Sequence, residues 1–146
     1  MQLYLSNNIP IYMAEFIDFA CQYLGLDKLR GDITIEYKRR LPEESYGECF
    51  GDRREAEINI AQTTYGESIS REDKLKTIAH ELTHAHQYMS GKMKCTDEGP
   101  EDTDWVTHWK SRKYKYNPKK EQDQPWEKEA VRFENEIYSK WVEDVK

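Results

Sequence analysis

Cysteine is scarce in this chain, and the three that occur, Cys21, Cys49 and Cys95, are far apart. There is no Cys-x-x-Cys pair, so neither a disulfide framework nor a thiolate zinc site is indicated. Long apolar runs are missing too, and none approaches the length needed to cross a bilayer. The stretch Met1 to Pro10 has no basic segment leading into an apolar one, so it does not read as a secretory signal. The expected setting is a reducing compartment, the cytoplasm, with no membrane partner.

Hydrophobic residues are sparse at 37%, and charged residues are abundant at 34%. Disorder is nevertheless not the reading, because aromatics reach 12% and the apolar residues fall into periodic clusters. The 28 acids outnumber the 22 bases, giving a net charge of −6. An acidic domain is poorly suited to general nucleic-acid binding. The local exception is Lys110 to Lys120, where basic residues interleave with Tyr114 and Tyr116. It is expected to be a solvated loop, neutralised by the acidic run Asp97 to Asp104. Docking of an acidic partner or phosphate contact is the functional alternative. The 146 residues suit a single domain with its own core, and no internal repeat or boundary is visible.

Apolar residues at helical spacing predict a helix over 10–26, opened by Pro10 and stopped by Gly25. Ile33 to Tyr37, Ser45 to Phe50 and Ala56 to Ile60 read as strands, with a turn at Gly51-Asp-Arg-Arg54. In the last strand Glu55, Glu57 and Asn59 alternate with Ala56, Ile58 and Ile60, the half-buried pattern. The clearest helix covers 71–90: Ser70 is a good N-cap, Leu75, Ile78, Ala79, Leu82 and Ala85 form an apolar stripe, and Gly91 ends it. Residues 92 to 124 read as a long irregular loop containing Trp105 and Trp109, and a final helix runs from Pro125 to Val145.

The 71–90 helix contains His80-Glu81-Leu82-Thr83-His84. Residues four apart lie one turn apart on one helix face, so both imidazoles can reach one metal ion from a rigid support. The intervening Glu81 is then aimed at a water on that ion and can take its proton. Histidine occurs four times in the chain, and three of those are His80, His84 and His86. The bland alternative, two solvent-facing histidines, leaves that clustering and its helical context unexplained.

A catalytic zinc needs a third protein ligand and an open position. The candidates are His108 and the acids Glu127, Glu129, Glu134 and Glu136. At about 100° per residue, the apolar residues from Ala130 to Val145 define a face centred about 20° from Glu127. Glu134 lies on that face, whereas Glu129 points about 140° away and is expected in solvent. A carboxylate on a buried face is costly unless paired or bound to metal, which favours Glu127 as ligand and Glu134 as a partner of a zinc-bound histidine.

His80 to Tyr88, the Trp109-Lys110 segment of the long loop, and Pro125-Trp-Glu-Lys-Glu-Ala130 together resemble the small SprT-like metallopeptidases, often encoded by phages. The arrangement is also similar to gluzincins, in which a Glu-x-x-Ala segment on a later helix supplies the third ligand. Gluzincins often carry an acid four residues after that ligand, where this chain has Val131, and the Cys-rich ribbon of cellular SprT proteins is absent. The resemblance implies a zincin-like fold, one zinc ion on His80, His84 and Glu127, a peptide or protein substrate, and host cytoplasm if the chain is phage-encoded.

The remaining polar residues have plainer readings. His86 points away from the metal face. Gln87 and Tyr88 pack or hydrogen-bond structurally. His108, Tyr114 and Tyr116 are ordinary loop residues, or else a donor to a developing oxyanion. The 56–60 strand is an ordinary hairpin arm, or else an edge that pairs with an extended peptide. The expected architecture is α+β: an N-terminal helix, a small mainly antiparallel sheet, the metal-binding helix, a long loop and a ligand-bearing C-terminal helix. The expected activity is zinc-dependent peptide-bond hydrolysis. Its rivals are a zinc-containing module that binds a host or nucleoprotein partner without cleavage, and a purely structural zinc domain.

Overall fold

Strands β1 (Gln2–Leu5), β2 (Asp32–Lys38), β3 (Gly47–Gly51) and β4 (Glu55–Ala61) form the central sheet in the order β1-β2-β4-β3. The computed structural model describes residues 1–100, 105–115 and 117–145. Helices α1 (Ile11–Leu24), α2 (Arg71–Met89) and α3 (Pro125–Val145) complete the core. A short hairpin, β5 (Thr63–Thr64) and β6 (Glu67–Ser68), precedes α2. A second antiparallel sheet, β7 (Met93–Asp97), β8 (Trp105–Trp109) and β9 (Arg112–Lys115), lies between α2 and α3 in sequence. Among the described residues this is a mixed α/β architecture compatible with the α+β class, and no helix is long and apolar enough to cross a membrane.

The helix ends follow local chemistry. Gly25 ends α1 in the left-handed conformation, its N–H donating to the Cys21 and Gln22 carbonyls. Ser70 opens α2 by accepting the Asp73 N–H at 3.1 Å, and Glu72 and Asp73 favour the positive end of the helix dipole. Gly91, also left-handed, follows the last turn of α2.

Period-2 alternation sends Ile33, Ile35, Ala56, Ile58 and Ile60 to one sheet face. There they meet Met13, Phe16, Ile17 and Ala20 of α1 and the Leu75, Ile78, Ala79 and Leu82 stripe of α2. α3 closes the core with Ala130 and Ile137, and its Trp141 ring meets Phe16 edge-on at 5.4 Å.

The central sheet is mixed and not mainly antiparallel: the β1–β2 and β2–β4 ladders are parallel, and only β3–β4 is antiparallel. Strand β1, absent from the sequence reading, creates the first of these by pairing Leu3 with Ile33 and Leu5 with Ile35. The 56–60 strand is interior, between β2 and β3, so it offers no edge to a peptide; β1 and β3 are the edges of this sheet. Asn59 is buried rather than outward, and donates to Glu48 at 2.9 Å.

The 92–124 segment is not an irregular loop either. Its β8–β9 turn carries Lys110 (φ 48°) and Ser111 (φ 71°) in the left-handed region, the two-residue turn that matches strand twist. That turn ordinarily advertises itself through Asn-Gly or Asp-Gly, and Lys-Ser does not. The acidic stretch at 101–104 and Tyr116 lie outside the described residues.

Candidate metal centre

α2 places His80 and His84 one turn apart, with their rings edge to face at 4.8 Å and their Nε2 atoms 3.2 Å apart. Glu127, in the first turn of α3, reaches both: Oε1 lies 2.9 Å from His84 Nε2 and Oε2 3.2 Å from His80 Nε2. One ligand atom from each of the three residues falls within 4.8 Å of the others, a group that can hold a metal ion.

The outer nitrogens decide what the inner ones offer. His80 Nδ1 donates to Glu134 Oε1 at 2.8 Å, since a carboxylate only accepts. His84 Nδ1 donates to Gln87 Oε1 at 2.8 Å, because the Gln87 amide nitrogen is committed to the Trp126 carbonyl and Glu129. In the neutral rings both Nε2 lone pairs therefore converge on each other and on the Glu127 carboxylate. Three acceptors on one point demand a cation or protons between them.

Protonation equilibria express the same demand. Burial works to lower His80, but hydrogen bonds to Glu127 and Glu134 overcome it and raise the imidazole to about 10. His84 is likewise raised, burial being outweighed by the Glu127 hydrogen bond and the Glu81 charge. Burial would raise Glu127, yet the two histidines bring it down to about 2.

Glu81 is 8% exposed and borders the same cleft as His80, His84 and Glu127. Burial raises its pKa, with the two imidazoles pulling the other way. The cleft, about 390 Å³, runs between the edge strand β3, at Gly47 and Cys49, and the second sheet, at Met93, Cys95 and Thr107. A smaller opening of about 220 Å³ continues past Glu81 between Tyr46, Thr77 and Glu134. The second sheet is docked on the base of α3 by Trp109 and Tyr114, whose ring centroids lie 6.3 and 5.3 Å from that of Trp126.

His80, Glu81, His84, Glu127 and Glu134 thus converge. Other candidates do not. His108 lies on β8 against Thr96 and Glu98, away from the cluster. Glu129 is not in solvent, as helical phase suggested: it pairs with Lys92 Nζ at 2.9 Å and accepts from Gln87. Val131, assigned to the apolar face, is 48% exposed. His86 is half-buried and outside the cluster, its pKa lowered by burial. In the basic stretch, Lys113 pairs with Glu98, and Lys110 and Arg112 sit over Trp109 and Tyr114.

The sequence reading missed what Gly47 does. A Cβ there would come 2.5 Å from the Thr77 methyl and 3.2 Å from Glu81 Cγ, so glycine lets β3 approach the face of α2 that carries Thr77 and Glu81. Only its position in a strand hinted at close approach. No protein-family model, curated protein or solved structure matches the chain.

Proposed function

We propose that this protein is a zinc-dependent metallopeptidase with a zincin-like active site, as its resemblance to the small SprT-like enzymes implies. The observation that carries the reading is the set of three ligand atoms beside the buried Glu81 carboxylate at an accessible cleft. Zinc bonds nitrogen and oxygen at about 2.0–2.1 Å, so two tetrahedral ligands on one ion stand about 3.3 Å apart. The two Nε2 atoms stand 3.2 Å apart, and the Glu127 carboxylate faces both, Oε1 at 2.9 Å from His84 and Oε2 at 3.2 Å from His80, close to that figure; with one oxygen taken as ligand, the three atoms lie within 4.8 Å of one another. Among the described residues only three ligands converge, which suits a catalytic site better than a closed structural one.

Zinc held there would lower the pKa of a bound water and polarise the scissile carbonyl. Glu81, buried and raised in pKa, accepts the proton from the attacking water and returns it to the leaving amine. Glu134 and Gln87 keep the two rings turned inward during these steps. Strand β3, free on one side, borders the cleft where an extended peptide would lie. The unpaired Cys21, Cys49 and Cys95 suit a reducing compartment, the cytoplasm.

A non-catalytic binding module draws support from Trp105, 46% exposed on the second sheet close to a basic strand. One experiment separates the two. Zinc-loaded wild type and Glu81→Gln are incubated with a fluorescently labelled, denatured protein. The peptidase reading expects cleavage by wild type, abolished by a chelator. It expects about 10²–10⁴-fold less in a Glu81→Gln protein that still binds zinc. Undiminished cleavage by zinc-loaded Glu81→Gln would sink this mechanism; an intact substrate with every zinc-loaded form favours the binding module.

A further inference from the structure

We propose that Gln87 is a positioning residue of the metal centre, holding His84 in the tautomer that turns Nε2 to the ion and tying that ring to the segment that presents Glu127. The inference rests on the metal-site reading and deepens it. Gln87 is fully buried, one turn beyond His84 on α2. Its amide nitrogen lies 3.0 Å from the Trp126 carbonyl and 3.2 Å from Glu129 Oε1, and both of those atoms only accept. The nitrogen must therefore face them, which turns Oε1 to His84 Nδ1 at 2.8 Å and places the proton on Nδ1.

Glu129 is itself fixed by Lys92, whose Nζ donates to its two oxygens at 3.1 and 2.9 Å. A continuous path then runs from Lys92 through Glu129 and Gln87 to His84. The branch to the Trp126 carbonyl is what distinguishes Gln87 from Glu134. Among the described residues the Glu134 carboxylate accepts from His80 alone, whereas Gln87 grips the peptide unit immediately before Glu127. One side chain sets a ligand ring on α2 and the register of the third ligand on α3. A glutamate at this position would satisfy His84 but offer nothing to Trp126, which gives a physical reason for an amide here.

The test uses the full chain in three forms: wild type, Gln87→Met, and the swap Gln87→Glu with Glu129→Gln. Zinc affinity is read by chelator competition, the ligand field by the visible absorption of the cobalt-substituted protein, and the ring N–H protons by NMR of the zinc-loaded protein. Gln87→Met is expected to bind zinc about 10–100-fold more weakly. It should also shift the cobalt spectrum and lose the protected His84 Nδ1–H signal while keeping that of His80. The swap restores an acceptor for His84 and a donor beside it, and is expected to recover part of the affinity. A folded Gln87→Met protein with wild-type zinc affinity and cobalt spectrum overturns the inference. Should Gln87→Met not fold, the wild type still decides: a His84 Nδ1–H that exchanges with water as freely as an exposed imidazole overturns it. A wild type that takes up neither metal overturns the metal centre itself, and this inference with it.

Discussion

Gly47 and Glu81 meet backbone to carboxylate: a methyl group added at Gly47 would stand 3.3 Å from Glu81 Oε2 and 2.5 Å from the Thr77 methyl. The β3 edge of the central sheet is thereby seated against the helix face that carries Thr77 and Glu81. Gly47→Ala must displace β3 or Thr77, and overpacking of this kind costs about 1–3 kcal/mol. Thermal unfolding should show that loss, and peptide hydrolysis should fall while zinc affinity changes little. Thr77→Ser removes the clashing methyl but keeps the hydroxyl that donates to the Asp73 carbonyl. Adding it to Gly47→Ala should recover most of the lost stability; no recovery would mean the clash is not what the alanine causes.

The ligand set predicts a graded response in zinc affinity. Glu127→Ala removes a ligand and should cost more than the roughly 10–100-fold typical of an outer partner. Glu134→Gln leaves the ligands in place and should fall within that range. His108→Ala touches nothing in the centre and should bind zinc as wild type does. Chelator competition ranks the three, and weakened binding in His108→Ala would reassign the third ligand.

In the metal-free protein His80 is raised from 6.5 to about 10, so its contribution to stability is full below pH 6.5 and lost as pH climbs toward 10. Glu127 is lowered from 4.5 to about 2, so its contribution is full above pH 4.5 and lost as pH falls toward 2. Chemical denaturation of the apo form should therefore show this cluster's support greatest between pH 4.5 and 6.5, declining on either side. Zinc must displace the protons held by the histidines, so its apparent affinity should drop on acidification. Proton release on zinc addition in weakly buffered solution measures this directly; an uptake of protons would contradict it.

Trp109 is nearly buried where the second sheet rests on Trp126. Trp109→Ala should destabilise by about 3–5 kcal/mol if the site cannot close up. Hydrogen exchange should quicken in β7–β9 well before β2 and β4, because the core of the central sheet is built from other residues. Equal acceleration in both sheets would show that they unfold together.

Several elements were legible because their cause is local. Ser70 with Glu72 and Asp73 opens α2, the Leu75-Ile78-Ala79-Leu82 stripe turns one face inward, and the four-residue spacing of His80 and His84 puts both on one side of that helix. Helical phase also drew Glu127 and Glu134 toward the interior. It misjudged Glu129, because phase measures distance from an apolar stripe and knows nothing of Lys92 and Gln87 waiting on a neighbouring element.

The second sheet escaped notice because its turn lacks the usual residues, and β1 because four residues carry little periodic signal. The parallel pairing of β1, β2 and β4 could not be inferred from strand patterns, which record which face is buried and not which strand lies alongside. Composition and spacing alone determined that this chain can build a helix bearing two histidines and a glutamate at metal-ligand spacing. Only tertiary structure decided that Glu127 arrives opposite them, that Gln87 and Glu134 turn both rings inward, and that Gly47 brings an edge strand to Glu81. The long-range contacts behind them, Gly47 with Glu81, Gln87 with Trp126 and His80 with Glu134, join residues 34 to 54 positions apart, and they form because burying the apolar faces of α2, α3 and the sheet together brings these polar groups within hydrogen-bonding or packing reach.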